Sequence, residues 1–241
     1  MKKMKIGILN AIPEEGNGST IDWGITPLEI YIQFFESVNA PFEYQGYGVS
    51  QGEFPESIDA CDAYLVTGSP QGVYDSQPWI AELIKFIQDS YQAKKKLVGI
   101  CFGHQVLAHA LGGHAERSEK GWGLGLATFK INAHKPWMTE APERSSLYFV
   151  HQDQVMQLPP EAELLGSSEF CPNLFYTIDN QVFGIQGHPE FTPKIMQKVM
   201  HGREEKVGLE THKRAMDSIA SGTPDNRLFA EWTVDFLRAA S

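Results

Sequence analysis

The apolar residues of this chain form short runs that alternate with longer segments of helical periodicity. Strands are predicted at residues 5–9, 41–48, 63–66, 97–100 and 182–187. Helices are predicted at residues 27–38, 78–92, 106–111, 193–201, 206–220 and 225–240. Apolar strands that alternate with helices are typical of a mostly parallel sheet covered on both faces. The pattern therefore predicts an α/β protein with a central sheet flanked by helices.

Three segments depart from this alternation. Residues 121–175 contain shorter strand-like pieces and turns, which predict an antiparallel extension of the sheet. The polar loop of residues 12–24 is either a lid or an ordinary surface loop. The last helix has an apolar stripe of Leu228, Trp232, Phe236 and Leu237. We expect one domain over residues 1–192 and a C-terminal helical extension of the same domain over residues 193–241.

One cysteine stands in a context that predicts reactivity. Cys101 follows an apolar strand and lies between Gly99 and Gly103, directly before a helical segment. Two glycines let the backbone turn sharply from strand to helix around a strained residue. The sulfur would lie at the positive end of that helix, which favours the nucleophilic thiolate. Cys61 and Cys171 lack such surroundings and are predicted to be small buried side chains.

A general base and a group to orient it follow a later strand. His188 and Glu190 come directly after the apolar run 182–187, with Pro189 between them. The proline disfavours a helix, and side chains two apart in an extended segment point to the same side. An imidazole serves a cysteine nucleophile as acid and base, and a carboxylate holds the imidazole in one tautomer. Because reactive groups gather at the carboxyl ends of parallel strands, we predict a catalytic triad of Cys101, His188 and Glu190.

Four segments together resemble a known family. They are residues 64–74, residues 99–105, residues 149–155 and the triplet 188–190. Their sequences, order and spacing over about residues 5–192 are similar to those of the class I glutamine amidotransferases. The resemblance implies a flavodoxin-like α/β fold and a glutamine-type amide as the substrate. Free-standing amidotransferase-like proteins and γ-glutamyl peptidases are especially similar, followed by the glutaminase domain of GMP synthase.

The resemblance also implies roles for further residues. One backbone amide of the oxyanion hole would come from Gly68 or Ser69, and the amide of Phe102 at the helix start would be the other. Many relatives have glycine where this chain has Ser69, and the sequence leaves open which of the two residues donates. The residues implied to contact the substrate are Gln105, His151, Gln152 and Asp153. His151 either contacts the substrate or only supports its loop.

Composition and charge exclude several classes of function. The formal net charge of −10 on 241 residues is unfavourable for binding nucleic acid, and no apolar run is long enough to span a membrane. The N-terminus does not resemble a secretory signal, and three cysteines cannot all pair, so a cytoplasmic location is expected. His104, His109 and His114 lie five residues apart, which is a poor arrangement for a metal site on a helix. No metal or cofactor is expected.

The predicted function is hydrolysis by a cysteine nucleophile. The chain would release ammonia or an amine from glutamine or a γ-glutamyl compound, through a γ-glutamyl thioester on Cys101. Neither a phosphate loop nor a dinucleotide-binding turn is present, so synthesis driven by ATP within this chain is not expected. The first alternative is a glutaminase subunit that delivers ammonia to a separate synthase partner. The second alternative is a binding protein without catalysis.

Overall fold

The structure, a computed structural model, describes residues 3–13 and 24–240. The strands are β1 Met4–Leu9, β2 Phe42–Tyr47, β3 Ala63–Val66, β4 Lys96–Ile100, β5 His114–Arg117, β6 Gly123–Ile131, β7 Arg144–His151, β8 Asp153–Gln157, β9 Glu163–Ser167, β10 Phe175–Ile178 and β11 Val182–Ile185. The helices are α1 Pro27–Glu36, α2 Pro78–Gln92, α3 Phe102–Ala110, α4 Pro193–Met200, α5 Glu204–Val207, α6 Leu209–Ser221 and α7 Asn226–Arg238.

A single large sheet organises the described part of the chain. Its strand order is β2-β1-β3-β4-β11-β10-β9-β6-β7, and β5 pairs with β8 in a separate small sheet. The strands from β2 to β11 pair in parallel, and those from β11 to β7 pair antiparallel. The predicted α/β fold with an antiparallel extension is confirmed. Since β4 and β11 are parallel neighbours, the residues that follow them lie at the same edge of the sheet.

Local sequence signals predicted the start of α1 correctly, whereas other helix bounds differ from the prediction; α3, for example, begins at Phe102 rather than at residue 106. Thr26 caps α1 by accepting a hydrogen bond from the backbone N–H of Glu29, whose carboxylate accepts from the backbone N–H of Thr26. Helix α1 ends at Glu36, two residues before its predicted end. The single helix predicted at residues 206–220 was wrong, because Gly208 has φ +86° and separates α5 from α6. A left-handed residue interrupts the hydrogen-bond ladder that a continuous helix needs.

Two apolar clusters cover the two faces of the sheet. Helices α1, α4 and α7 contribute buried side chains to one cluster, and α2 and α3 contribute to the other. In the first cluster, the ring of Trp232 on α7 stacks on Phe175 with centroids 6.3 Å apart. Trp232, Phe236 and Leu237 of the predicted stripe are buried, and Leu228 is partly buried against them. Helix α7 is therefore held against the strands by large aromatic side chains.

Two sequence-based expectations concern the surface of the molecule. Within residues 3–13 and 24–240, no helix has the length and apolar character needed to cross a membrane. The loop of residues 12–24, predicted as a lid or a surface loop, lies mostly outside the described residues, since residues 14–23 are not described.

Candidate active site

The candidate nucleophile occupies a strained turn between a strand and a helix. Cys101 has φ 56° and ψ −107°, a left-handed conformation that is rare for a residue with a side chain. A Cβ on Gly103 would overlap the backbone carbonyl of Val66, and a Cβ on Gly99 would overlap that of Gly103. Glycine is therefore required at both positions for α3 to pack against β3 and β4. Backbone strain of this kind is concentrated at functional sites.

Cys101 is buried but not sealed from solvent. The residue is 5% exposed, and its Sγ lies 4.0 Å from the carbonyl oxygen of Val150 on β7. Helix α3 begins at Phe102, the next residue, so the sulfur lies at the N-terminal end of that helix. The unpaired N–H groups at a helix N-terminus give that end a partial positive charge.

His188 and Glu190 form a buried pair. His188 Nδ1 donates to Glu190 Oε1 at 2.7 Å, and the two side chains are 6% and 0% exposed. The backbone N–H of His188 donates to the carbonyl of Tyr148, which ties this segment to β7. The ring of Phe191 stacks on the imidazole with centroids 4.1 Å apart. The expected extended segment is instead a turn after His188, and the turn brings the two side chains together.

The thiol and the imidazole come from different strands and meet beside the loop that follows β3. A Cβ built on Gly68 would lie 3.3 Å from His188 Cε1 and 3.7 Å from Cys101 Cβ, so the three residues adjoin. His188 Nε2 is buried and makes no hydrogen bond of ordinary length to any described residue, which leaves it to interact with the thiol of Cys101. Catalytic hydrogen bonds are often long before a substrate binds.

The surroundings of His188 favour its protonated form. Burial lowers the pKa of His188, but the negative charges of Glu190 and Cys101 and hydrogen bonds to both outweigh burial and raise that pKa to about 10. The positive charge of a protonated His188 would thus lie between a carboxylate and a sulfur. His151 has no carboxylate partner, and burial lowers its pKa to about 4. The carboxylate of Glu190 is the main difference between the two histidines.

Two hydroxyl groups hold the loop after β3. Tyr31 Oη accepts a hydrogen bond from the backbone N–H of Gly68 at 2.9 Å. Thr67 Oγ1 donates to the carbonyl of Gly68 at 3.0 Å and accepts from the backbone N–H of Ala11 at 2.9 Å. The carbonyl of Gly68 and the N–H of Ser69 belong to one peptide plane and point in opposite directions. The N–H of Ser69 therefore points away from the Thr67 hydroxyl.

The predicted oxyanion-hole residues differ in what their amides contact. The N–H of Gly68 is already engaged by Tyr31, whereas within the described ranges the N–H groups of Ser69 and Phe102 have no acceptor. Phe102 is the first residue of α3, where a backbone N–H has no partner inside the helix. Ser69 and Phe102 are thus available to a ligand, and Gly68 is not.

The segment predicted to contact the substrate is supported from behind by two buried side chains. Gln105 Nε2 donates to the carbonyl of Asp153 at 2.9 Å and to Gln186 Oε1 at 3.0 Å. His151 Nδ1 donates to the same carbonyl of Asp153 at 3.0 Å. Both hydrogens of the Gln105 amide are therefore engaged in hydrogen bonds. Its amide oxygen remains as the atom that could contact a substrate. His151 supports the loop, which was one of its two predicted roles.

The outer part of this segment is less buried. Gln152 and Asp153 are half-buried, and the backbone carbonyl of Gln152 accepts from the N–H of Ser118 at 3.1 Å. Burial raises the pKa of Asp153, while a hydrogen bond from Tyr74 and the charge of Arg117 act in the opposite direction. The side chain of Asp153 thus lies among polar groups near the exposed Tyr74.

Sequence reasoning missed Tyr31. This residue lies on α1, is 2% exposed, and donates its hydroxyl hydrogen to Glu190 Oε1 at 3.2 Å. Burial, followed by the charge of Glu190, raises the pKa of Tyr31 well above its ordinary range. The only signal in the sequence is a phenol on the apolar face of a helix, which does not indicate the contact. The contact appears only when α1 packs beside the end of β11.

The remaining cysteines and histidines form no second candidate centre. Cys61 and Cys171 are free and 2% exposed, and burial raises the pKa of Cys171 to about 12. Among the residues that the structure describes, no three His, Cys, Asp or Glu side chains are grouped so that they could hold a metal ion.

Comparisons with known proteins show the family and the fold of this chain. The family profile described as Glutamine amidotransferase class-I matches residues 27–204. Gamma-glutamyl peptidase 3 of Arabidopsis thaliana is 31% identical over 202 residues, which cover 80% of this chain and 81% of the peptidase. The glutamine-hydrolyzing GMP synthase of Dehalococcoides mccartyi is 30% identical over 148 residues, which cover 61% of this chain and 25% of the synthase. The crystal structure of a glutamine amidotransferase from Thermotoga maritima shares the fold, with a TM-score of 0.80, 16% identity and coverage of 99% of this chain and 100% of that one.

Proposed function

The chain belongs to the class I glutamine amidotransferase family, and on this premise we propose that it hydrolyses the γ-amide bond of glutamine or of a γ-glutamyl compound. The observation that supports the proposal is that reactive residues at the ends of two neighbouring strands lie together. The strained Cys101 follows β4, and the His188–Glu190 pair, joined at 2.7 Å, follows the neighbouring β11. A cysteine, an imidazole and a carboxylate in this order are the parts that nucleophilic catalysis needs.

In the first half of the proposed reaction, the Cys101 thiolate attacks the γ-carbonyl carbon. The carbonyl electron pair moves to the oxygen, which becomes an oxyanion. The oxyanion collapses, the C–N bond breaks, and the imidazolium of His188 gives its Nε2 proton to the departing nitrogen. Ammonia or an amine leaves, and a γ-glutamyl thioester remains on Cys101. The raised pKa of His188 favours the imidazolium, which is the form that this step uses.

In the second half, water hydrolyses the thioester. His188 Nε2, now neutral, takes a proton from water as the water oxygen attacks the thioester carbonyl. The second oxyanion collapses and expels the Cys101 thiolate, which releases the product as a γ-carboxylic acid. The acid then loses its proton to solvent and becomes the γ-carboxylate. His188 is again protonated and Cys101 is again a thiolate, so the cycle closes without a cofactor. Glu190 stabilises the imidazolium in each half of the reaction in which it forms.

We assign the two amides of the oxyanion hole to Ser69 and Phe102. The Gly68 amide is occupied by Tyr31, and the Ser69 amide points away from the hydroxyl that holds its peptide plane. These contacts support Ser69, of the two residues that the sequence left open, as the donor that we propose. Removal of one such donor typically costs about 3–4 kcal/mol of transition-state stabilisation.

The substrate is proposed to be a small γ-glutamyl compound, with a γ-glutamyl peptide favoured over glutamine. The match to an Arabidopsis γ-glutamyl peptidase spans 80% of this chain and most of that protein. The match to the GMP synthase supports the second candidate, a glutaminase subunit for a separate synthase partner, but it covers only 25% of that synthase. A binding protein without catalysis is the third candidate, and the complete set of Cys101, His188 and Glu190 argues against it.

The test is a comparison of two substrates with the purified chain. Amine release from γ-glutamyl dipeptides and ammonia release from glutamine are measured without any partner protein. We expect turnover of the peptides, and a fall of about a thousandfold or more in the Cys101→Ala variant. The matched control is Cys61→Ala, which removes a free buried thiol elsewhere and should keep full activity.

The outcomes separate the three candidates. Glutaminase activity that is weak alone and rises on addition of a synthase would support the subunit. Inactivity towards both substrates, together with a Cys101 that a glutamine-like alkylating agent does not modify, would support the binding protein. A Cys101→Ala variant with full activity would refute the thioester mechanism.

We also propose that residues 193–241 belong to the same domain as the sheet. Side chains of α4 and α7 share one apolar cluster with those of α1 and several strands, which supports this division. We further propose a cytoplasmic location, since the free state of Cys61, Cys101 and Cys171 is consistent with a reducing compartment.

A further inference from the structure

We propose that Tyr31 is a positioning residue that fixes the candidate general-base pair and the oxyanion loop through a single hydroxyl group. The inference rests on the proposed function and extends it to a residue that lies outside the predicted site. Tyr31 comes from α1, a helix that contributes neither the nucleophile, the base nor the carboxylate. Its role would be to set the position of groups that act on the substrate.

The hydrogen bonds of Tyr31 have only one consistent assignment. A backbone N–H can only donate, so Gly68 donates to the Tyr31 oxygen, at 2.9 Å. The phenol has one hydrogen, and that hydrogen goes to Glu190 Oε1 at 3.2 Å. The residue is 2% exposed, so water does not compete freely for either bond. The hydroxyl is therefore a fixed link between the loop after β3 and the turn after β11.

The first effect of this link is on the carboxylate. Glu190 Oε1 accepts both from His188 Nδ1 at 2.7 Å and from the Tyr31 hydroxyl. Glu190 Oε2 is buried and has no hydrogen-bond partner among the described residues. All the hydrogen bonding thus converges on one oxygen, which keeps that oxygen directed at the imidazole. Without Tyr31, His188 would be the one described residue that donates a hydrogen bond to the carboxylate.

The second effect is on the oxyanion loop. Gly68 is flanked by two peptide planes, and its N–H belongs to one while its carbonyl belongs to the other. Tyr31 holds the first plane and Thr67 Oγ1 holds the second, at 3.0 Å. Together they orient the N–H of Ser69, the donor assigned to the oxyanion. Loss of Tyr31 would leave the buried N–H of Gly68 without an acceptor. The first plane would then be held through its other end alone, where the carbonyl of Thr67 accepts from the N–H of Gly103 at 3.1 Å.

The test variant is Tyr31→Phe, which keeps the ring and its packing and removes only the hydroxyl. We expect kcat for the γ-glutamyl substrate to fall about 10- to 100-fold, since hydrogen bonds to charged groups have effects of this size. KM should change by less than about threefold, because the lost interactions orient groups that act in the transition state. Loss of a residue with a purely structural role would not lower kcat while leaving KM nearly unchanged.

The matched control is Tyr64→Phe. Tyr64 is fully buried on β3, and its hydroxyl contacts the backbone of Ile58 and Cys61, away from the site. We expect this variant to lower the midpoint of thermal unfolding and leave kcat unchanged. Equal effects of Tyr31→Phe and Tyr64→Phe on kcat would overturn the inference, as would an unchanged kcat in Tyr31→Phe.

A second measurement does not depend on turnover. Proton NMR of the His188 Nδ1–H reports its hydrogen bond to Glu190. In Tyr31→Phe, Glu190 Oε1 loses its second donor and becomes a stronger acceptor, so this resonance should move further downfield. The resonance should not move in Tyr64→Phe. An unshifted resonance in Tyr31→Phe would overturn the positioning role even if the chain hydrolyses nothing, and inactivity of the wild type alone would count only against the proposed function.

Discussion

The substitution Glu190→Gln tests the electrostatic argument for the site. In the wild type, burial lowers the pKa of His188, and the charges and hydrogen bonds of Glu190 and Cys101 raise it to about 10. The variant removes the carboxylate charge but keeps a side chain of the same shape. Burial lowers the pKa of His188, and fewer interactions then act against it. At His151, which has no carboxylate partner, burial lowers the pKa to about 4. We expect the pKa of His188 to fall to its ordinary value of 6.5 or below.

The size of the effect follows from this fall. A decrease in pKa from about 10 to 6.5 corresponds to about 5 kcal/mol of interaction free energy lost by the imidazolium. At pH 7 the wild-type imidazole is protonated, and in the variant it is mostly neutral. A neutral imidazole no longer stabilises a thiolate beside it, so the reactivity of Cys101 at neutral pH should fall. We expect the rate of Cys101 alkylation at pH 7 to fall at least about 10-fold.

The assay is the pH dependence of Cys101 alkylation by iodoacetamide, because this reaction needs the thiolate and no substrate. The wild type should react rapidly at pH 7, and Glu190→Gln should recover a comparable rate only at alkaline pH. The control is Glu161→Gln, which alters an exposed carboxylate that also accepts from a tyrosine, Tyr91, at 2.7 Å. Overlapping pH profiles for Glu190→Gln and the wild type would refute the reasoning.

Two further predictions test the turn around the nucleophile and the helical extension. Gly103→Ala should destabilise the protein by about 1–3 kcal/mol in chemical denaturation and impair Cys101, because its Cβ would overlap the backbone of Val66; a fully stable variant would contradict this packing. Trp232→Ala should lower the free energy of unfolding by about 3–5 kcal/mol, since the indole is fully buried against Phe175, and a loss below about 1 kcal/mol would show that α7 contributes little to the core.

The sequence by itself determined the features that depend on neighbouring residues. Alternating apolar runs predicted β3 and α2 with their observed bounds, and Thr26 and Pro27 predicted the start of α1. Gly99 and Gly103 predicted the strained turn at Cys101 because close packing around a sharp turn excludes a Cβ. Such signals are local, since backbone conformation responds to the residues within a few positions along the chain. The turn after His188 and the break at Gly208 were missed. In each case the local sequence is also compatible with a regular element, an extended segment in the first and a continuous helix in the second.

Only the tertiary structure decided which distant groups share the site. Tyr31 and Glu190 are 159 positions apart, and Tyr31 and Gly68 are 37 apart. Their contacts require β3, β4 and β11 to be neighbours in one sheet, with α1 packed beside their ends. No periodicity or spacing in the sequence predicts that one hydroxyl group makes hydrogen bonds to two distant residues. The engagement of the Gly68 amide, and hence the availability of Ser69, therefore follows from long-range packing, which the order of residues along the chain does not specify locally.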